Sequence, residues 1–528
     1  MNAHPHIRRF RMIAPAYPAF NIYSRIAKRT TALGPLCVAT AVSRMPDWDV
    51  EVIDENNYRK FGPKDEHGLP DHAALQGIRR ADAVGLYGGL SSTIPRLHEL
   101  ARWYKQKGAI VIAGGQHFVG ENIRAALDNG VDYVVLGEGE HTIRDLLEAL
   151  AEARDPAGVA GIALLRNGEP VRTAERPPIA DFDSLPLPDF RLLRYARLKL
   201  YPVGWIRGCE MNCEFCTVKG HPRAAAPERV VEQIASLLEE RNARHFFVVD
   251  DLFGHNRADT LRLCRLLADY QKAVGVRLDF TVQIRLDRGR DGELLRAMRD
   301  AGINSVCIGY ESPIAEELAA MDKRTKPEEM LALTRLYHRA GFLVHGMFIF
   351  GYPLPKGAVL NMTVAGGVRC FRRFIRRSRL DSIQVLLPVP LPGTALTARL
   401  AADGRVFPLA DIGWEYYDGN FPLFLPDAPL TANDLHLAIR KIMGRFYRFR
   451  HMFAIGLNVL IFPALVFSLW NIRFGWRKWY RLWRNDLLRF GGWIVFRRWS
   501  TMFRHGTFAA KLERAQQHTG RPPADARC

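Results

Sequence analysis

The segment Gly208-Cys-Glu-Met-Asn-Cys-Glu-Phe-Cys216 gathers three of the chain's eight cysteines, Cys209, Cys213 and Cys216. Thiolates this close together bind metal. A closed iron–sulfur cubane takes four of them, so a loop that offers three leaves one iron open to another ligand. A structural zinc ion would need four protein ligands, and His221, five residues past Cys216, is available as the fourth. Cys37, Cys264, Cys307, Cys370 and Cys528 are scattered and read as ordinary thiols. Polar residues then recur after short apolar runs: Asp250 and Asp251, Gln283 and Arg285, Glu311 and Ser312, and Gly351. A carboxylate there can bond the amino or ribose groups of a ligand, or merely cap the following helix.

These groups need a scaffold that brings them together. Strands are expected at His245–Asp250, Leu278–Ile284, Ser305–Gly309, Val344–Phe350 and Ser382–Leu387. Helices are expected between them at Glu228–Arg241, Arg257–Val274, Gly292–Ala301 and Pro327–Ala340. With a strand before Cys209 this makes six strand–helix units, and the polar residues fall at strand carboxyl ends, where barrels keep their sites. Upstream, expected strands at Phe10–Ala14, Val50–Asp54, Ala83–Tyr87, Ile110–Ala113 and Tyr133–Leu136 alternate with helices. That pattern predicts a doubly wound parallel sheet whose ligand lies beyond the strand ends. Gly88-Gly89, Gly114-Gly115 and Gly137-Glu-Gly-Glu140 fall there, where glycine lets backbone approach a large ligand. The proline-rich stretches Arg176–Ile179 and Asp181–Asp189 read as a linker. The expected division is 1–150, a linker over 151–195, a barrel over 196–400 and a basic helical module over 401–528.

The CxxxCxxC spacing, with Phe215 before the third cysteine, resembles that of radical S-adenosylmethionine enzymes. Asp250-Asp-Leu-Phe253, Gly309-Tyr-Glu-Ser312, Gly346–Pro353 and Pro390–Thr394 resemble further motifs of that family. Ser91-Ser92-Thr93, Gly114-Gly115-Gln-His117 and Val135–Glu140, with Gly137 and Gly139, resemble the cobalamin-binding domain that precedes some of these cores. The resemblance spans roughly residues 10–400. It implies a Rossmann-like, cobalamin-binding α/β domain followed by a partial (β/α)6 TIM-like barrel. It implies a [4Fe-4S] cluster on the three cysteines, whose open iron chelates S-adenosylmethionine, and an electron donor such as a flavodoxin or ferredoxin. It also implies cofactor contacts at Phe215, Asp250, Asp251, Gln283, Arg285, Gly309, Glu311, Ser312 and Gly351. The Asp-x-His-x-x-Gly motif that supplies a lower cobalt ligand in many cobalamin domains is absent; Asp65-Glu-His67 ends in Pro70 where Gly is needed. Whether His117 approaches the cofactor stays open at this level.

With 528 residues, 48% hydrophobic, the chain is long enough for several domains and is neither disordered nor a disulfide scaffold. The N-terminal Met1–Arg11 segment has no apolar stretch, so a cytoplasmic location is expected. The net charge of +19 is concentrated: Arg440–Arg504 holds fourteen Lys or Arg against Asp486 alone. Trp470, Trp476, Trp479, Trp483, Trp493 and Trp499 lie there too, and Met452–Ile472 is uncharged. Arg473, Arg477, Arg481 and Arg484 recur at helical spacing beside Trp476, Tyr480, Trp483 and Leu487. Such a helix suits the headgroup region of an anionic membrane, at its cytoplasmic face. The competing reading is a buried hairpin capping the barrel. Nucleic acid is not the expected partner, because no RNA-binding motif accompanies the basic run.

Taken with the resemblance, the expected activity is transfer of a methyl group from methylcobalamin to an unactivated carbon of a small molecule, lipid or isoprenoid. Radical cyclisation or rearrangement is the alternative, followed by tRNA methylthiolation and a non-catalytic scaffold.

Overall fold

The computed structural model describes residues 8–59, 61–323, 325–358, 362–457, 472–504 and 507–519. Its N-terminal sheet runs in the order β2-β1-β3-β4-β5-β6-β7. These strands are β1 (Arg8–Ala14), β2 (Trp48–Asp54), β3 (Ala83–Tyr87), β4 (Ile110–Gly114), β5 (Tyr133–Val135), β6 (Ile162–Arg166) and β7 (Glu169–Arg172). The first five are parallel, while β6 and β7 add an antiparallel hairpin. That hairpin extends the sheet to Arg172, into residues expected to be linker. Its outer strand is exposed throughout, so it carries no apolar alternation to read. Within β1, Arg11 is fully buried. Its guanidinium is satisfied by Glu51 Oε1 at 2.7 Å, Gln76 Oε1 at 2.8 Å, Tyr104 Oη at 2.9 Å and the Leu75 carbonyl at 3.0 Å. A buried charge survives only with such a partner set.

The second sheet has the order β15-β14-β13-β12-β11-β8, parallel throughout. Its strands are β8 (Tyr201–Val203), β11 (His245–Phe253), β12 (Asp279–Ile284), β13 (Ile303–Glu311), β14 (Leu343–Ile349) and β15 (Ser382–Leu386). Strands in sequence order with β8 and β15 left as edges make a partial barrel. Between β8 and β11 sits a two-stranded antiparallel ribbon, β9 (Ile206–Arg207) and β10 (Arg223–Ala224). The cysteine loop is the connection between its strands. Side-chain caps start the flanking helices: Asn256 accepts from the Ala258 and Asp259 N–H groups, and Thr363 from Gly366. The two units share one hydrophobic core, in which Phe10 and Val52 belong to the same cluster as Trp205, Phe246 and Phe280.

The basic C-terminal segment is partly a cap on this barrel. Helix Ala432–Phe446 ends at Tyr447, whose hydroxyl donates to the Ile383 carbonyl at 2.6 Å and accepts from the Ile383 N–H at 2.9 Å. Helix Ile472–Arg504 crosses it where Gly492 faces the Tyr447 ring, 2.4 Å from where a Cβ would stand. Trp499 is buried, and Arg489 donates to the Leu380 carbonyl at 2.9 Å while lying 4.8 Å over the Phe446 ring. These residues face protein, so part of the segment expected at a membrane surface caps the barrel instead, as the competing reading has it. Of the uncharged stretch 452–472, residues 458–471, with Trp470, lie outside the described residues, as do the side chains of Arg473, Trp476, Arg477, Trp479 and Arg481. No helix among the described residues is long and apolar enough to cross a membrane.

Candidate active site

The cysteine loop is tied down at both ends and in its middle. At its start, the Gly208 N–H donates to Asp251 Oδ2 at 2.9 Å. Gly208 itself has φ +91°, and a Cβ there would stand 2.7 Å from the His221 carbonyl oxygen. In its middle, Glu214 receives a forked bond from Arg399, Nε to Oε1 at 2.6 Å and Nη2 to Oε2 at 2.9 Å. Tyr352 Oη donates to the same carboxylate at 2.7 Å. The Lys219 ammonium donates to the Cys213 carbonyl at 2.9 Å. Thr217 Oγ1 donates to Gln116 Oε1 of the N-terminal unit at 3.0 Å. The Phe215 ring meets Tyr352 edge-on at 6.1 Å. Cys213 is buried, and Cys209 and Cys216 are partly so. Burial pushes the Cys213 and Cys216 thiols up, and each thiol feels its neighbours. Among the described residues no three His, Cys, Asp or Glu side chains converge on a point where one metal ion would sit. Three soft thiols spread along one anchored loop instead match a cluster, whose thiolates bind separate irons.

Strand ends bring the other polar groups to this loop. Asp250 is fully buried. Its Oδ1 accepts from the Trp205 N–H at 2.6 Å and the Ile206 N–H at 2.9 Å, and burial raises its pKa to about 7. It therefore holds the strand leading into the loop. Asp251, the more exposed of the pair, anchors Gly208, and burial also raises its pKa. Glu311 has φ +58° and receives Lys323 Nζ at 2.8 Å. Gly309 makes room for that carboxylate, since a Cβ there would stand 2.3 Å from Glu311 Oε1. Burial opposes the Lys323 charge, but Glu311 and the Cys213 thiol outweigh it and its pKa is raised. Ser312 Oγ donates to Glu317 and accepts from the Ile314 N–H at 3.0 Å. Burial lifts the Glu317 pKa to about 7, against hydrogen bonds from Ser312 and from the backbone of Tyr352 and Gly351. Gly351, at φ +72°, closes against Leu435. Arg285 forks onto Asp287 and its Nη1 lies 3.6 Å from Met211 Sδ in the loop. Gln283 is partly buried at the end of β12, paired in register with Cys307.

Next to the loop a cavity of about 380 Å³ opens at the carboxyl edge of the N-terminal sheet. Its wall on that side includes Met12, Gly85, Ile112, Gly114, Gly115, Val135, Gly137 and Gly139. Its other wall is Gly204, Ile206, Arg207, Val249 and Asp251, from the barrel. Two of these glycines are required. A Cβ on Gly115, at φ +132°, would stand 2.5 Å from the Gly88 carbonyl carbon, and one on Gly85 would stand 2.7 Å from the Phe10 ring. Met12, Gly114, Gly115, Gly137, Gly139 and Ile143 would hold cobalamin, and a largely apolar cradle kept open by glycine fits such a group. Ser91, Ser92, Thr93 and His117 do not line the cavity. All four are buried, with Ser91 Oγ 3.0 Å from His117 Nδ1 and the His117 ring 4.6 Å from Trp414. Burial, and then His98, lower the His117 pKa to about 3, so the ring is neutral.

Two glutamates of the glycine turn, read at first only for their glycines, bridge the units. Arg223 donates to both oxygens of Glu138, at 2.9 and 3.1 Å, and the Ile179 N–H donates to Oε2 at 2.6 Å. Arg207 donates to Glu140 at 2.5 Å and to Glu138 at 3.3 Å. Phe182 lies within 4.9 Å of the Arg207 guanidinium and 5.2 Å of that of Arg223. Sequence reading also missed Glu214, Arg399 and Lys323. Only the position of Glu214 inside the cysteine motif could have pointed to it.

A glycine-lined parallel sheet facing a three-thiolate loop on a partial barrel defines an enzyme that joins a cobalamin site to a radical site. The sequence matches the B12 binding domain family over residues 24–147 and the Radical SAM superfamily over residues 203–357. The chain is a cobalamin-binding-domain-containing radical S-adenosylmethionine enzyme, with a [4Fe-4S] cluster, S-adenosylmethionine and cobalamin as its cofactors. It is 26% identical over 330 residues to an uncharacterized methyltransferase of Pyrococcus horikoshii, covering 60% of this chain and 67% of that protein. It is 27% identical over 341 residues to the anaerobic magnesium-protoporphyrin IX monomethyl ester cyclase of Cereibacter sphaeroides, covering 61% of this chain and 52% of that one. It is 27% identical over 233 residues to the hopanoid C-2 methylase of Rhodopseudomonas palustris, covering 43% and 42%. In fold it resembles the radical S-adenosylmethionine methyltransferase TsrM of Kitasatospora setae, solved with cobalamin and a [4Fe-4S] cluster. That likeness has a TM-score of 0.60 at 19% identity and covers 75% of this chain and 78% of that one. It also resembles the cobalamin-dependent enzyme OxsB, with a TM-score of 0.63 at 14% identity, covering 98% and 84%.

Proposed function

We propose that this chain transfers a methyl group to an unactivated carbon of a small molecule, with a lipid or isoprenoid as the substrate class. One observation carries the reading: a single cavity has the glycine edge of the cobalamin-type sheet on one side and Arg207 and Asp251, which flank the cysteine loop, on the other. When bound, the cofactors supply a methyl group and a carbon radical. The residues of the chain do the rest. Cys209, Cys213 and Cys216 hold the cluster. Glu214, Arg399 and Tyr352 hold their loop. Asp251, Glu311 and Lys323 present charge to the polar end of S-adenosylmethionine, and the buried strand ends exclude water. A flavodoxin or ferredoxin is the electron donor this chemistry calls for. The likeness to a hopanoid methylase supports a lipid substrate and, with it, work at the cytoplasmic face of a membrane.

Anaerobic reconstitution with iron, sulfide and cobalamin tests the reading. About four irons and one cobalt per chain are expected, with iron lost in the Cys209→Ala/Cys213→Ala/Cys216→Ala variant. Label from methyl-labelled S-adenosylmethionine should then enter a lipid extract. The likeness to magnesium-protoporphyrin ester cyclases favours ring formation as the second reading. It would be upheld by reductive cleavage of S-adenosylmethionine with no methyl label in any product.

A further inference from the structure

We propose that the groove bounded by helices Val364–Ser378, Ala432–Phe446 and Ile472–Arg504 is a docking surface for the anionic face of a phospholipid membrane. It gives an address to the membrane partner named above and shares no residue with the cavity at the cysteine loop.

The groove encloses about 990 Å³ and is open to solvent. Arg372, Arg440, Lys441, Arg445, Arg448 and Arg497 line it, and among the described residues no carboxylate does. The acid of the surrounding segment, Asp486, is already held by His451 Nδ1 at 2.8 Å. Cations gathered this closely repel one another, and a dense negative surface relieves that repulsion. The floor is aromatic: Phe449 and Trp493 meet at 5.0 Å, and Arg497 lies 5.3 Å over the Trp493 ring. Arginine over tryptophan suits the interface between headgroup and acyl chain.

Aliphatic exposure selects a lipid over a nucleic acid. Leu437 stands 47% exposed on the lip of the groove, and Phe453, 5.5 Å from the Phe449 ring, is 60% exposed. Leu457 is also 60% exposed. Bases stack on aromatic rings but give bare leucines nothing, whereas acyl chains bury them.

The test uses the full chain without added cofactors. Co-sedimentation is measured with vesicles of phosphatidylcholine alone and of phosphatidylcholine mixed with phosphatidylglycerol. Binding to the mixed vesicles is expected, weakening steeply with salt. In Arg372→Gln/Lys441→Gln/Arg445→Gln the partition coefficient should drop roughly 100-fold, from about fivefold for each charge removed near the surface. Phe449→Ser/Phe453→Ser should also weaken binding while keeping its salt dependence. Circular dichroism melts check that each variant folds, and S-adenosylmethionine cleavage, measured separately on the reconstituted variants, should be unchanged, so failure here is separate from failure of the methyl-transfer reading. Equal binding to both vesicle types, or undiminished binding by the folded triple variant, overturns the proposal. So does single-stranded RNA binding tighter than vesicle binding at the same ionic strength and lost in that variant.

Discussion

Substituting Arg399→Met asks whether the cysteine loop is placed by an ion pair or by its thiols alone. Arg399 and Glu214 are 20% and 15% exposed, and the fork between them attaches the loop to the helix Ala395–Ala402 after β15. The same guanidinium also donates to the Leu354 carbonyl at 3.0 Å and the Pro353 carbonyl at 2.9 Å. Removing one partner of a buried pair costs about 3–5 kcal/mol. Glu214 keeps the Tyr352 hydroxyl and some solvent, so the low end applies, about 3 kcal/mol. That is roughly a 150-fold fall in the equilibrium constant for the loop being in place. Iron content after anaerobic reconstitution, and its loss to a chelator over time, should report it directly. Glu214→Gln/Arg399→Met should recover part of the deficit, because the carboxylate left without its cation is then gone. If Arg399→Met binds about four irons and loses them no faster than the parent, the ion pair does not position the loop.

Gly114→Ile places a branched side chain on the cavity wall, where a Cβ alone is tolerated at 3.4 Å from Val135; cobalt should be lost while iron is retained, by metal analysis. Arg207→Met leaves Glu140, only 5% exposed, without its guanidinium. Since Arg207 is itself 35% exposed, the loss should be about 2 kcal/mol, measured by urea denaturation and largely absent against a Glu140→Gln background. Burial lowers the pKa of both His117 and His436 to about 3. Their contribution to stability is therefore intact above the unfolded value near 6.5 and is lost as pH falls toward 3. At one pH unit below 6.5 the two together should cost about 3 kcal/mol, and His117→Gln should flatten the slope of stability against pH over that range.

Local signals were legible in the sequence and distant ones were not. The helix Arg257–Val274 and the strand Ala83–Tyr87 follow their apolar patterns to the residue, and the three cysteines announce themselves by spacing. Glu214 and Arg399 are 185 residues apart, and Glu138 and Arg223 are 85 apart. Nothing in a linear pattern marks two charges as partners until the fold brings them together. Ser91 and His117 show the converse. Their motifs looked like ligand contacts, yet the side chains meet each other in a buried layer beside Trp414. The β6–β7 hairpin was hidden because an exposed edge strand need not alternate.

The joint made by Glu138, Glu140, Arg207 and Arg223 has a mechanical meaning. A proline-rich stretch between two units normally acts as a hinge, but here Ile179 donates to Glu138 and Phe182 lies against both arginines. Together with the shared core, this makes the two halves a single girder. The cobalamin-type half is not an interchangeable cartridge, and lengthening the linker would not change its distance from the cysteine loop. That distance is set by the common core together with the two arginine side chains.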